Sequence, residues 1–325
     1  MSTYARERAA AIEAVLEACR LCEAVRAEIV DEDTAAKKDR SPVTVADYGA
    51  QALVNLALAH AFPDDPIVAE EEAGALQADD GAALRDRVVH YVRGARPDMG
   101  EPAILSAIGR GGHPGGAAGR FWTLDPIDGT KGFLRADQYA VALALIEDGR
   151  VVLGVLGCPS LPTAAGGRGC LFVAERGRGA VQRTLDDPAE HPVHATSIAD
   201  PASASFCESV ESGHSSHDHA AQIARVLGVT APPLRMDSQC KYAAIARGDA
   251  SIYLRLPTRA DYQERIWDHA AGLIVVEEAG GRVSDIHGEP LDFSRGRTLA
   301  RNKGVVASNG ALHDRVISAI RQVLA

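Results

Sequence analysis

Asp125-Pro126-Ile127-Asp128-Gly129-Thr130 is the stretch on which the reading of this chain turns. It follows Phe121 to Leu124, a β-favouring apolar run read as a strand, so Asp125 arrives at the strand's C-terminal edge. Pro126 lacks the N–H that ladder pairing needs, and its ring resists helix entry. Gly129 permits a turn that other residues resist, so Asp125 and Asp128 can point into one space. The Ile127 carbonyl and the Thr130 hydroxyl can join them there. Two carboxylates, a carbonyl and a hydroxyl are hard oxygen donors, which suit magnesium and not zinc. Taken alone, the same stretch reads equally well as a turn with solvated aspartates.

Working outward, Ile67 to Ala69 is a short apolar run that ends in Glu70-Glu71-Glu72, so Glu70 and Glu71 also sit at a strand end. Two helices precede it, over Tyr4 to Ile29 and Thr44 to Ala61, the second broken by Phe62-Pro63-Asp64-Asp65-Pro66. Asp47 falls early in that second helix, where an acid is ordinarily a helix N-terminal residue. Leu84 to Val92 reads as a third helix. Residues 109–119 hold six glycines and a proline without periodicity, so they read as a mobile loop. Downstream, Tyr139 to Glu147 and Arg150 to Leu156 form a hairpin across Asp148-Gly149, continued by strands near Cys170 to Ala174 and Ala180 to Gln182. After Pro188 strands and helices alternate. The helices there include His217 to Leu227, Lys241 to Ala246, Trp267 to Ala279 and Ala311 to Leu324, and Asp268 opens the third of them. The expected organisation is a helix-plus-meander unit over residues 1–190 and an α/β unit over 191–325.

Composition narrows the function. The 325 residues carry 34 Lys plus Arg against 44 Asp plus Glu, a formal charge of −10, which argues against a nucleic-acid polymer or a membrane surface as partner. No stretch approaches the roughly 18–20 apolar residues of a membrane span. Met1 to Ala10 lacks a signal-peptide apolar region. Six scattered cysteines fit a reducing cytoplasm, and Cys19-x-x-Cys22 inside a helix reads as two ordinary helix cysteines. An acidic protein that handles a phosphate ester must supply positive charge locally, and bound metal ions are one way.

Four pieces in order make the chain recognisable: Ser41-Pro42-Val43-Thr44 through Asp47, Val68-Ala69-Glu70-Glu71, Asp125 through Thr130, and Trp267 through Gly272 with Glu278-Ala279-Gly280-Gly281 following. Together they resemble the lithium-sensitive, magnesium-dependent phosphatases of the inositol monophosphatase superfamily, over roughly Lys37 to Ser308. Lys131-Gly132-Phe133 after the first motif looks like the 3′(2′),5′-bisphosphate nucleotidase branch. So do the segments around His214, Asp237-Ser238-Gln239-Cys240-Lys241-Tyr242 and Tyr253-Leu254-Arg255. Two departures are Ala69, where the family generally has glycine, and the unmatched glycine-rich segment.

The resemblance implies a layered αβαβα sandwich with the site between its halves. It implies that Glu70, Asp125, Asp128, Asp268 and the Ile127 carbonyl hold two to three magnesium ions, and that Thr130 and Asp47 orient and deprotonate the attacking water. Ser238, Lys241 and Arg255 would take a second phosphate, with Asp268 also facing the substrate and His214 packing on the adenine. Lys37 and Lys38 lie near the phosphate, with the sequence not fixing which points inward. Judged alone, Lys241 reads as a solvated helix lysine and the His214–His217–His219 group as a polar helix start. The implied reaction converts adenosine 3′,5′-bisphosphate, and its 5′-phosphosulfate analogue, to the 3′-dephosphorylated nucleotide, in a setting linked to sulfate assimilation. The alternatives are an inositol or sugar phosphate phosphatase, and a non-catalytic metal or nucleotide sensor. The small nucleotide is the only partner expected, and a monomer is the working expectation.

Overall fold

A computed structural model describes residues 3–31, 41–77, 81–211, 216–259 and 261–324. In chain order the helices are α1 (Ala5–Asp31), α2 (Ser41–Ala61), α3 (Gly74–Gln77), α4 (Ala82–Ala95), α5 (Glu101–Gly109), α6 (Thr130–Leu134), α7 (His217–Leu227), α8 (Cys240–Ala246), α9 (Ala270–Glu278) and α10 (His313–Leu324). The strands are β1 (Ile67–Ala69), β2 (Arg120–Asp128), β3 (Ala140–Glu147), β4 (Arg150–Pro162), β5 (Arg168–Glu175), β6 (Ala180–Thr184), β7 (His191–Val193), β8 (Phe206–Glu208), β9 (Leu234–Arg235), β10 (Ile252–Arg255), β11 (Arg282–Ser284) and β12 (Val305–Ser308).

The first seven strands form one sheet in sequence order, parallel at β1–β2 and antiparallel thereafter. The other five form a mixed sheet in the order β11-β12-β10-β8-β9. Period-two alternation sorts the side chains of the first sheet into two cores. Val141, Leu143 and Leu145 of β3 pack with α1 and α2, while Ala140, Ala142, Ala144 and Ile146 pack with α8 and α9. The far side of α8 and α9 meets the second sheet through Tyr253, Val305 and Ala307. That sheet's outer face, with Ile252, Leu254 and Val306, is covered by Ile223 of α7 and Val316, Ile317 and Ile320 of α10. Four apolar interfaces between five structural layers, the middle two merged into one core around α8 and α9, give the expected αβαβα sandwich.

Local chemistry explains most boundaries. α7 begins where the Ser216 hydroxyl accepts from His219 N at 3.4 Å and stops at Gly228, which takes φ +75°. The β3–β4 turn has positive φ at both Asp148 and Gly149, as its twist demands. Elsewhere the structure corrects the expectation. α5 was not foreseen, and Pro102 sits in its first turn, where a missing N–H costs nothing. β7 contains Pro192, but it lies on the sheet's edge, where proline is tolerated. The glycine-rich segment is held rather than loose: Ala69 N donates to Gly111 O at 2.9 Å, His113 N donates to Ile67 O at 3.1 Å, and Gly112 bridges Val68. Among the described residues no helix is long and apolar enough to cross a membrane. All six cysteines are free and buried, with Cys19 and Cys22 inside the α1 core.

Candidate active site

β2 does not stop at Leu124; it runs on through Asp128 with an irregularity at Pro126-Ile127. Asp125 opposes Ala142 and Asp128 opposes Ala140, so three steps along β2 match two along β3. That extra residue is a bulge, and it turns two aspartates three apart, which a regular strand would place on opposite faces, to one side. Gly129 follows with φ +90° and starts α6, the conformation that glycine adopts without strain. A Cβ there would lie 2.8 Å from the Ser238 Cβ, so the turn also needs glycine for space.

β1 lies parallel to β2 in the register Ala69↔Leu124, which sets Glu70 one step further, beside Asp125. α2 fixes this strand end. Gln51 Nε2 donates to Glu71 O at 2.7 Å while its Oε1 accepts from Glu71 N at 3.0 Å, and Tyr48 donates to Glu72 O at 3.2 Å. From the second half, Gln239 N donates to Asp128 Oδ2 at 2.5 Å. The Gln239 side chain spans Trp267 O at 2.9 Å and Gly272 N at 3.0 Å. That clamp occupies the third N–H of α9, so the helix begins at Ala270. Asp268 stands in the turn ahead of it rather than inside it, contrary to the sequence reading.

Glu70, Asp125, Ile127, Asp128, Thr130, Ser238, Lys241, Arg255 and Asp268 all line one cavity of about 530 Å³. Asp47 is buried in α2 and does not line it, and among the described residues no hydrogen bond joins Asp47 to the exposed Thr130. His214, Lys37 and Lys38 lie outside the described residues. A larger hollow of about 660 Å³ between α1 and α4 carries no such chemistry, and its Glu17 is already paired with Arg96 at 2.6 Å.

The cavity has two walls of opposite character. On the acidic wall, burial and then the Asp268 and Glu71 charges push the Glu70 carboxyl up to about 8. Asp125 is held well above the carboxylate range by burial and then by Glu70, Asp128 and Asp268. Asp128 is raised by burial and Asp268, against the opposing pull of Lys241, Arg255 and the Gln239 N–H. Asp47 is raised too, by burial and then by Glu71 and Glu70. Like charges gathered out of water raise one another's proton affinity. The buried Asp125 Oδ1 has no hydrogen-bond partner among the described residues. All-oxygen donors, mutual repulsion and an orphaned carboxylate oxygen fit a hard divalent cation.

On the cationic wall, Lys241 is buried with Nζ 5.3 Å from the Tyr253 ring centre, and burial lowers its proton affinity. Arg255 is aimed by Glu264, Nε to Oε2 at 2.8 Å, and reaches Asp268 at 3.3 Å. Glu264 is fixed in turn by His269, whose other ring nitrogen meets Tyr242 OH at 2.7 Å. The oxygens and nitrogen of Glu264, Asp268 and His269 come within 4.8 Å of one another, a spacing a metal could use. The Arg255 guanidinium serves both carboxylates and accounts for their closeness, leaving the other side of Asp268 to the acidic wall. Ser238 holds φ +64°, and its hydroxyl accepts from Cys240 N at 3.2 Å. At the rim Glu211 joins Lys131 at 2.9 Å and Arg135 at 2.7 Å, and Arg135 also pairs with Asp237. Sequence reasoning missed Gln239 and Glu264. Gln239 acts through hydrogen bonds to a distant segment, and Glu264 through its pairing with Arg255 and His269, roles for which periodicity gives no signal.

The inositol monophosphatase family model matches residues 3–325. A 3′(2′),5′-bisphosphate nucleotidase of Emericella nidulans is 47% identical, with 99% of each chain covered. Proteins of the same name from Oryza sativa and Schizosaccharomyces pombe are 46% and 44% identical, covering 99% of this chain and 95% and 96% of theirs. Among solved structures, an inositol monophosphatase from Anabaena (Nostoc) sp. PCC 7120 superposes with a TM-score of 0.62 at 21% identity, covering 97% of this chain and 95% of that one. Mycobacterium tuberculosis SuhB gives 0.63 at 22%, covering 98% and 97%. These two likenesses speak to fold. With the carboxylate wall on its bulged strand and a family match over nearly the whole length, the chain belongs to the inositol monophosphatase family.

Proposed function

We propose that this cavity hydrolyses the 3′-phosphate of adenosine 3′,5′-bisphosphate, giving AMP and inorganic phosphate, with magnesium bound at the acidic wall. The observation that carries this reading is the pairing of opposite walls in one cavity: four carboxylates on one side, Lys241 and Arg255 on the other. A substrate with a single phosphate would leave one wall without a partner. A nucleotide with two phosphates a ribose apart meets both, and the relatives named above carry that activity in their names.

Glu70, Asp125, Asp128, Asp268 and the Ile127 carbonyl would hold two to three Mg²⁺ ions. Magnesium in such a setting supplies positive charge against the carboxylates and the transferring phosphoryl group, and makes water more acidic. The protein's own groups do the rest. Thr130, exposed on the cavity wall at the start of α6, orients the water for in-line attack on phosphorus. Asp47, buried in α2, the helix that packs on α6, would receive the proton by way of the Thr130 hydroxyl. The P–O bond to the 3′ oxygen breaks, and that oxygen leaves with a proton from solvent. Lys241 and Arg255 hold the 5′-phosphate as point charge and planar fork, with Ser238 adding a hydroxyl. The same 5′ site would accept the phosphosulfate analogue.

The test is phosphate release from adenosine 3′,5′-bisphosphate and from inositol 1-phosphate, with Mg²⁺ and then with added Li⁺. A strong, lithium-sensitive preference for the nucleotide is expected. Equal or better turnover of the inositol ester would keep the acidic wall and overturn the substrate assignment.

A further inference from the structure

Glu70 and Asp268 reach the cavity from different halves of the chain, and one side chain outside the cavity links the peptides that carry them. Arg297 lies in the loop before β12. Its Nη2 donates to Ala69 O at 2.6 Å, the carbonyl of the peptide bond whose nitrogen belongs to Glu70. Its Nη1 donates to Gly111 O at 3.1 Å and to His113 O at 3.2 Å. The guanidinium carbon stands 4.8 Å from the ring centre of Trp267, the residue before Asp268, and Arg297 O accepts from Ile266 N at 3.2 Å. Among the described residues no carboxylate lies within salt-bridge distance of Arg297; its donors go to backbone, and its charge faces the Trp267 ring with Glu72 acting on it from further off.

The surrounding backbone is shaped to let it reach. A Cβ on Gly111 would fall 2.7 Å from the Ala69 Cβ and 2.9 Å from Gln51 Nε2. A Cβ on Gly115 would fall 3.1 Å from the carbonyl of Gly296, and one on Gly296 would fall 3.0 Å from Pro114 O. The glycine-rich segment and the Arg297 loop thus touch backbone to backbone.

We propose that Arg297 is a positioning residue that sets the separation of Glu70 and Asp268, and through it the affinity of the acidic wall for a divalent cation. This rests on the reading of that wall as a magnesium site. Supporting groups around a metal ordinarily govern its affinity by about 10- to 100-fold. Arg297→Gln loses the three-carbonyl grip, whereas Arg297→Lys keeps a cation that reaches one carbonyl. Arg265, with its guanidinium carbon 5.6 Å from the same Trp267 ring centre, makes no bond to β1, so Arg265→Gln is the control.

The experiment is calorimetric titration of each metal-free protein with Mg²⁺, without nucleotide, beside thermal unfolding. The expected result is about tenfold or greater weakening for Arg297→Gln, a smaller loss for Arg297→Lys, and a change within about threefold for Arg265→Gln. A structural role alone would lower the unfolding temperature and leave Mg²⁺ affinity intact. Arg297→Gln binding Mg²⁺ within twofold of the parent overturns the proposal while leaving the metal site standing. If Arg297→Gln does not fold, the same criterion applied to Arg297→Lys decides. A parent protein that takes up no Mg²⁺ overturns the proposal and the metal reading together.

Discussion

Replacing Lys241 by methionine separates recognition from stability because the two should move in opposite senses. The side chain is buried, and burial already lowers its proton affinity, opposed chiefly by the nearby Asp128 carboxylate. Methionine keeps the length and apolar stem and removes the charge. A hydrogen bond to a charged group is worth about 1.5–3 kcal/mol. At 1.4 kcal/mol per tenfold, kcat/KM for adenosine 3′,5′-bisphosphate should fall by roughly 10- to 140-fold. Adenosine 3′-monophosphate, which offers the cationic wall nothing, should lose no more than about threefold by the same reasoning. The two substrates, run side by side at saturating Mg²⁺, therefore converge in the variant. Thermal unfolding should not shift downward, since a desolvated ammonium has been removed. An unchanged ratio of the two kcat/KM values would refute the placement of the 5′-phosphate against Lys241.

Two further outcomes follow from the electrostatics. Asp125→Asn should stabilise the metal-free protein increasingly as pH rises through about 8, the raised value of Glu70, because the ionising Glu70 then no longer faces a second buried carboxylate; at pH 5, where Glu70 holds its proton, the two proteins should melt more alike. The variant should also lose the rise in melting temperature that Mg²⁺ gives the parent, and equal rises would sink Asp125 as a ligand. His313 bonds Ser284 at 2.8 Å and Ser308 at 2.9 Å, and burial holds its pKa down at about 4. The unfolded chain protonates it near 6.5, so this contribution is complete above that pH and is lost as pH falls towards 4, by on the order of 2–3 kcal/mol. Urea midpoints of wild type and His313→Gln should converge over that window, and parallel pH profiles would contradict the assignment.

The parts legible in the sequence were those decided by neighbours in the chain. α7 has the bounds the sequence reading gave, His217 to Leu227, with Ser216 and Gly228 at its ends, and the acidic motif was visible because a proline and a glycine break the chain among its aspartates. Where distant groups decide, the reading failed. The bulge that aligns Asp125 with Asp128 depends on the register with β3, so the strand was ended four residues early. Asp268 was placed in a helix because nothing nearby shows that Gln239 holds the turn ahead of it. The glycines of residues 109–119 looked like flexibility because their use, close contact with Ala69 and Gly296, lies across the fold.

The sharing of α8 and α9 between the two sheets bears on how the chain is made. On the ribosome the seven-stranded sheet is complete once His191–Val193 has emerged, yet Ile146, Leu156 and Phe172 on its inner face have nothing to rest against. Their cover, Ile274 and Val275 of α9, is some 80 residues further along, or roughly 4–15 s of translation at ordinary rates. For that interval the nascent protein carries a broad apolar plane of the kind that chaperones shield, so slowing or speeding elongation before α9 is expected to change how much of the chain folds.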